Sequence, residues 1–191
     1  MSILYQLLRP FGYLTIKGVR GKPIYDWLIP FILSALSMGY FQMLNVDIKS
    51  LFSDGNFIKN TVSFVSILPG FYIAALAAIA TFNRKEIDFP LTNDNGTPYI
   101  YVKGVKENGI PYTTREKITR RIFLCMLFAF LTAESILLIM LNNFSLPLIA
   151  TIHSTLYLNI YLFTFLIILW QLFVTTFFGL YYLGERIHSN N

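Results

Sequence analysis

Charge is scarce in this chain. Asp, Glu, Lys and Arg make up 13% of its 191 residues, against about 25% in soluble domains. Residues that carry chemistry are scarce too. The one cysteine, Cys125, lies inside an apolar run, which excludes an internal disulfide or a zinc cluster. It is expected to pack as a small apolar residue. There are two histidines, His153 and His188, and no HExxH, CxxC or paired-aspartate motif. Gly18, Gly21 and Lys22 have neither a strand before them nor a helical Ser or Thr after them, so they make no phosphate loop. No Ser-His-Asp or Cys-His set falls on one side of the layout derived below. The expectation is therefore no catalytic residue, no metal and no cofactor. Internal repeats and low-complexity linkers are also missing. A cleaved leader is not expected, because Arg9-Pro10 ends the short segment from Met1 and no small-x-small site follows the first apolar run.

What the chain has in quantity is apolar surface. Hydrophobic residues reach 55% and aromatic ones 17%, more than a soluble fold of this size can hide. They fall in four blocks: Trp27–Leu44, Thr61–Phe82, Ile122–Leu141 and Leu156–Leu183. Even the first and shortest, as helix, covers ~27 Å, close to the hydrocarbon thickness of a bilayer. The expected fold is an all-α integral membrane protein, a four-transmembrane-helix bundle. Trp27 suits an interfacial anchor, and Pro30 falls in a first turn, where a missing N–H costs little. Pro69-Gly70 should kink the second span. The fourth is long enough to tilt.

The connectors differ in character. Residues 1–26 form an N-terminal segment in which Ile3, Leu4, Leu7 and Leu8 have the spacing of a short interfacial helix. Pro10 to Pro23 reads as a basic connector. Loops 45–60, with a turn at Asp54-Gly55, and 142–155 are short, and residues 184–191 form a tail. Residues 83–121 are the longest polar stretch. There, turn signals at Asn95-Gly96 and Asn108-Gly109 flank the strand-like Tyr99-Ile100-Tyr101-Val102. This spacing predicts a small β-hairpin, weakened by Gly104. Thr113 and Glu116 fit a capping box, which predicts a helix from near Thr114 running straight into the third span.

Positive charge sets the orientation. Of the 15 Lys and Arg, only Lys49 and Lys59 fall in the two short loops. The others lie in the N-terminal segment, the 83–121 loop and the tail. Lys and Arg accumulate in cytoplasmic loops, so both termini and the long loop are expected in the cytoplasm. This explains the net charge of +5 without direct nucleic-acid binding, which is not expected. Contact with anionic membrane lipids follows from it.

Glu134 is the most informative single residue, a carboxylate well inside the third span. Its insertion costs at least ~2.5 kcal/mol, so it should face protein or a wet cavity. It is read either as an ion path or switch, or as a structural hydrogen bond to Gln171, Asn159 or a neighbouring Ser or Thr. Asn159 and Gln171 in the fourth span need not share a face and fit interhelical bonding. Ala74, Ala75, Ala77 and Ala78 mark a helix–helix contact, within the chain or between subunits. In the long loop, Tyr99, Tyr101, Lys103, Lys106, Tyr112 and Arg115 mix aromatic and basic groups, as a protein interface does. His153 could serve as a pH sensor, but an ordinary interfacial histidine is the simpler reading.

In length, four apolar spans and a basic loop between the second and third, the chain resembles the membrane subunits of the Kiwa anti-phage system (KwaA). The resemblance implies an oligomer in the bacterial inner membrane that works with a soluble DNA-binding partner, KwaB, docked on residues 83–121. The functional expectation is a non-enzymatic membrane sensor or scaffold that forms a homo-oligomer and recruits a cytoplasmic protein. The alternative is an oligomeric pore or small transporter using Glu134. A tag on either terminus should be shielded from an impermeant probe in intact cells and labelled after permeabilisation. Labelling in intact cells would reverse the orientation.

Overall fold

The computed structural model describes the chain except residues 1–2, 53–56, 82, 84, 92–95, 106–110, 152–153 and 187–191, with a few more placed by backbone alone. A short helix α1, Ile3–Leu7, leads into a 3-10 turn at Arg9–Thr15. A π-turn at Ile24–Leu28 opens α2, Ile29–Met43. A 3-10 turn at Ile48–Phe52 precedes α3, Phe57–Val65, and α4, Leu68–Thr81. Strands β1, Tyr99–Val105, and β2, Pro111–Lys117, follow. The long helices α5, Arg120–Thr151, and α6, Thr155–Tyr181, complete the order.

Four helical segments are long and apolar enough to cross a membrane: Ile24–Met43, Ile48–Thr81, Arg120–Ile149 and Thr155–Gly184. Protein buries half of the most apolar stretch of α5 but only 17% of that around α2. So α5 and α6 form the centre, with α4 packed on α5 and α2 on α6. The outward faces are apolar: Met43 is 84% exposed and Phe71 66%. In water such a surface would drive aggregation. A hydrocarbon solvent would remove that penalty.

Prolines and glycines shape the spans. Pro69 offers no N–H, and its ring crowds the carbonyl four residues back. The helix accordingly breaks at Ser66-Ile67 and restarts with Pro69 in the first turn of α4. Gly179 of α6 faces α5 so closely that an added Cβ would lie 2.8 Å from Leu127 Cδ2. Small residues at such contacts let helix backbones approach in lipid.

Three expectations need correction. Residues 113–117 are strand, not the start of a helix. The β-branched Thr113 and Thr114 pair across the ladder with Lys103 and Val102, and this pairing outweighs the capping signal. The third span begins at Arg120 and stays helical through Pro147 to Thr151, so most of the loop drawn at 142–155 is helix. Asn142 and Ser145 are buried, so that polar run does not mark an exit from the span. The segment drawn as a connector from Pro10 to Pro23 enters the core. Tyr13 is fully buried there and stacks on Phe130 at 5.1 Å. Gly12 permits this approach, since a Cβ would sit 3.2 Å from Met126 Cε. The turns expected at Asp54-Gly55 and Asn108-Gly109 lie outside the described residues, as does Asn95.

The hairpin is fastened to the helical body. Lys17 and Tyr99 exchange backbone hydrogen bonds of 3.1 and 3.0 Å. Ile118, fully buried, bonds through its N–H to Pro98 and through its carbonyl to the Leu91 N–H. Beneath it, Arg121 donates to the α4 carbonyls of Ile79 and Ala80 at 2.9 and 3.1 Å. The same guanidinium grips Asp88 in a two-bond fork at 2.7 and 2.9 Å. One side chain at the start of α5 thus caps the end of α4 and ties down the loop between them. Hydrogen bonds from Arg121 hold the Asp88 carboxyl below its usual range.

Gly179→Leu should destabilise the α5–α6 contact by about 1–3 kcal/mol, read as a lower unfolding midpoint in detergent. Arg121→Ala should lower that midpoint at neutral pH. Because the folded-state pKa of Asp88 is depressed, the clamp acts fully above the ordinary carboxylate range and is lost as pH falls through the lowered value. The deficit of Arg121→Ala should therefore shrink in acid. A deficit independent of pH would disprove the linkage.

Candidate functional site

The first candidate is a polar junction inside the helical body. Its ligands come from several elements because the N-terminal turn dips into the core and α2 begins there. Lys22 and Asp26 are four residues apart, one helical turn. Both are buried, and they form an ion pair. The Tyr13 hydroxyl donates to Asp26 Oδ1 at 3.1 Å. The Lys22 ammonium sits 4.0 Å from the centre of the Tyr13 ring, a cation–π contact. From α6, Gln171 Nε2 donates to the Asp26 backbone carbonyl at 2.9 Å. Tyr25 stacks on Phe178 of α6 at 4.0 Å. Burial pushes the Lys22 ammonium pKa down, against the pull of Asp26, and pushes the Tyr13 phenol up.

Glu134 adds the second carboxyl. It lies ~20 Å along α5 from Arg121 and is 4% exposed. It interacts electrostatically with Asp26 and with Tyr72 of α4. Its Oε2 has no hydrogen-bond partner, nor does Oγ1 of the fully buried Thr175. The Leu127–Gly179 contact puts Glu134 and Gln171 at about the same level, ~11 Å deeper. Tyr72 ties α4 to α6 through a 2.7 Å bond between its hydroxyl and Thr176 Oγ1. The Lys22–Asp26 pair thus sits where the N-terminal turn, α2 and α6 meet, and Glu134 of α5 feels the Asp26 charge. Such a junction can bind and release a proton or polar guest. Among the described residues it brings together no three His, Cys, Asp or Glu able to hold a metal.

The second candidate is the outer face of the hairpin. Antiparallel register sets Tyr99 opposite Lys117 and Tyr101 opposite Arg115, so these four share one face. The Arg115 guanidinium lies 5.0 Å from the Tyr99 ring and 5.6 Å from the Tyr101 ring, and Lys17 approaches Tyr101 at 5.7 Å. Tyr101, Arg115 and Lys117 are exposed. The alternate face carries Ile100, buried against the body, and Val102, packed on the core.

The sequence-derived residues divide as follows. Gln171 joins the junction by bonding Asp26 and not Glu134, which lies at about its level on α5. Asn159 lies away from it and donates within its own helix to the Thr155 carbonyl at 2.9 Å. Tyr99, Tyr101 and Arg115 form one face. Tyr112, opposite Gly104, belongs to the other. Lys103 is placed by its backbone, opposite Thr113. Lys106, His153 and His188 lie outside the described residues. Ala74, Ala77 and Ala78 point outward, while Ala75 packs on the core.

Sequence reasoning missed Tyr13, Tyr25 and Asp26, and treated Lys22 as an orienting charge. The available signal was the Lys22–Asp26 spacing of one turn, with Asp26 beside an apolar block. Compared with family models, curated proteins and solved structures, the chain matches none of them.

Removing one partner of a buried pair strands the other charge, at about 3–5 kcal/mol. Lys22→Met and Asp26→Leu should each lower stability by that order, and the double variant by clearly less than their sum, measured by unfolding in detergent. Additive losses would show that the two side chains are not coupled.

Proposed function

We propose that this chain is a non-enzymatic subunit of a cytoplasm-facing membrane, one that assembles with copies of itself and docks a soluble protein on its hairpin. The observation carrying this reading is the tethered hairpin, whose exposed face joins Tyr101 to Arg115 and Lys117. Neither cation forms an ion pair with a described residue. A face of aromatic and unpaired basic groups suits protein recognition. The bonds from Lys17 and Leu91 couple that face to the helical body. The outward alanines of α4 supply a close-packing surface for self-assembly. The charge distribution supports termini and hairpin in the cytoplasm. The resemblance to Kiwa membrane subunits makes the partner a DNA-binding protein and the setting a bacterial inner membrane under phage attack.

The second reading is conduction or proton-driven switching at Glu134. It is favoured by that buried carboxyl's unpartnered oxygen. The two readings separate experimentally. Tyr101→Ala combined with Arg115→Glu should strip the co-purifying soluble protein while leaving membrane yield and unfolding midpoint unchanged. An unchanged set of bound proteins would overturn the docking reading. Liposomes holding the wild type should show no ion flux. Flux abolished by Glu134→Gln would instead establish the second reading.

A further inference from the structure

A groove of about 500 Å³ lies between the N-terminal segment, α4 and α5. Its lining mixes cationic and apolar side chains. Arg9 and Arg121 contribute cations to its lining, and Leu76, Ile122, Met126 and Ala129 supply apolar wall. From Ile122 to Ala129 the wall follows α5 for ~10 Å, inward from the residue that caps α4. The two arginines are not equivalent. Arg121 is engaged with Asp88 and the α4 carbonyls. Arg9 is exposed, donates to the Tyr5 hydroxyl at 2.7 Å and lies over the Tyr5 ring. It pairs with no carboxylate among the described residues, so much of its five-donor fork stays open, in a geometry that fits phosphate oxygens.

We propose that this groove binds one anionic phospholipid of the surrounding leaflet, with the phosphate on Arg9 and an acyl chain against Leu76, Ile122, Met126 and Ala129. Charge complementarity selects the headgroup and the apolar wall selects the tail. A free phosphate would leave the wall unfilled. An apolar helix would leave Arg9 without a counter-charge. The lipid would seal the N-terminal segment against α5, beside the point where Gly12 meets Met126. The site does not depend on the docking reading, since the hairpin face contributes nothing to it.

The test counts lipids retained by the purified protein in mixed micelles, by native mass spectrometry, with phosphatidylglycerol or phosphatidylcholine supplied. The wild type should retain one phosphatidylglycerol, about tenfold in preference to phosphatidylcholine. Arg9→Gln should abolish that preference. Arg115→Gln, which removes a cation on the hairpin, should preserve it. Ala129→Trp should fill the groove and exclude both lipids. If that variant fails to fold, the exposed Arg9 position still decides. Equal retention of the two lipids by the wild type would overturn the proposal. So would equal loss in Arg9→Gln and Arg115→Gln, or displacement of the lipid by inorganic phosphate.

Discussion

The ion pair between Lys22 and Asp26 is the interaction around which the helical body is arranged. Two charges taken out of water are tolerated only when their remaining hydrogen-bonding capacity is met. Here Tyr13 supplies a hydroxyl to the carboxylate and a ring face to the ammonium. For Tyr13 to arrive, the N-terminal turn must lie on α5, between Phe123 and Phe130. For Asp26 to be reached, α2 must begin inside the body, where Gln171 bonds its carbonyl. Pair, inserted turn and helix start thus require one another. Consistency of this kind favours one packing over its competitors.

The same logic separates the two candidate sites. The junction lies among apolar side chains, where each unpaired polar atom is costly. Glu134 Oε2 and Thr175 Oγ1 are left without partners there, so the junction is where a proton or polar guest would change the energy most. The hairpin is exposed and makes few demands on the fold. Its tyrosines and cations can serve recognition because stability rests on Ile100 and Ile118 behind them. Ile118 lies two residues before Arg120, so the strand–helix connection joins the two regions directly.

Solvent preference explains the remaining surface. Arg121 closes the end of α4 with hydrogen bonds that water would otherwise provide. Beyond it the outer faces of α2 and α4 are apolar, and their small residues are available for close packing. The groove lined by Arg9 interrupts that surface with a cation.

The sequence by itself determined the apolar character of the chain, the number of long apolar helices and the existence of a small hairpin. Each rests on local composition: block length, proline and glycine placement, and alternation of β-branched and aromatic residues. A carboxyl within the third span was legible in the same way, because Glu134 is the only Asp, Glu, Lys or Arg between Arg121 and Glu185. The tertiary structure decided what that carboxyl faces and which residues join it. Gln171 lies 145 residues from Asp26, and no periodicity links it to Tyr13 and Asp26. It also decided that Thr113 and Glu116 belong to a strand, because cross-strand pairing and the burial of Ile118 are non-local and outweigh a four-residue capping signal. The role of Arg121 was likewise hidden. In sequence it was one more positive charge at a span boundary, and only the approach of α4 gave its donors carbonyls to meet.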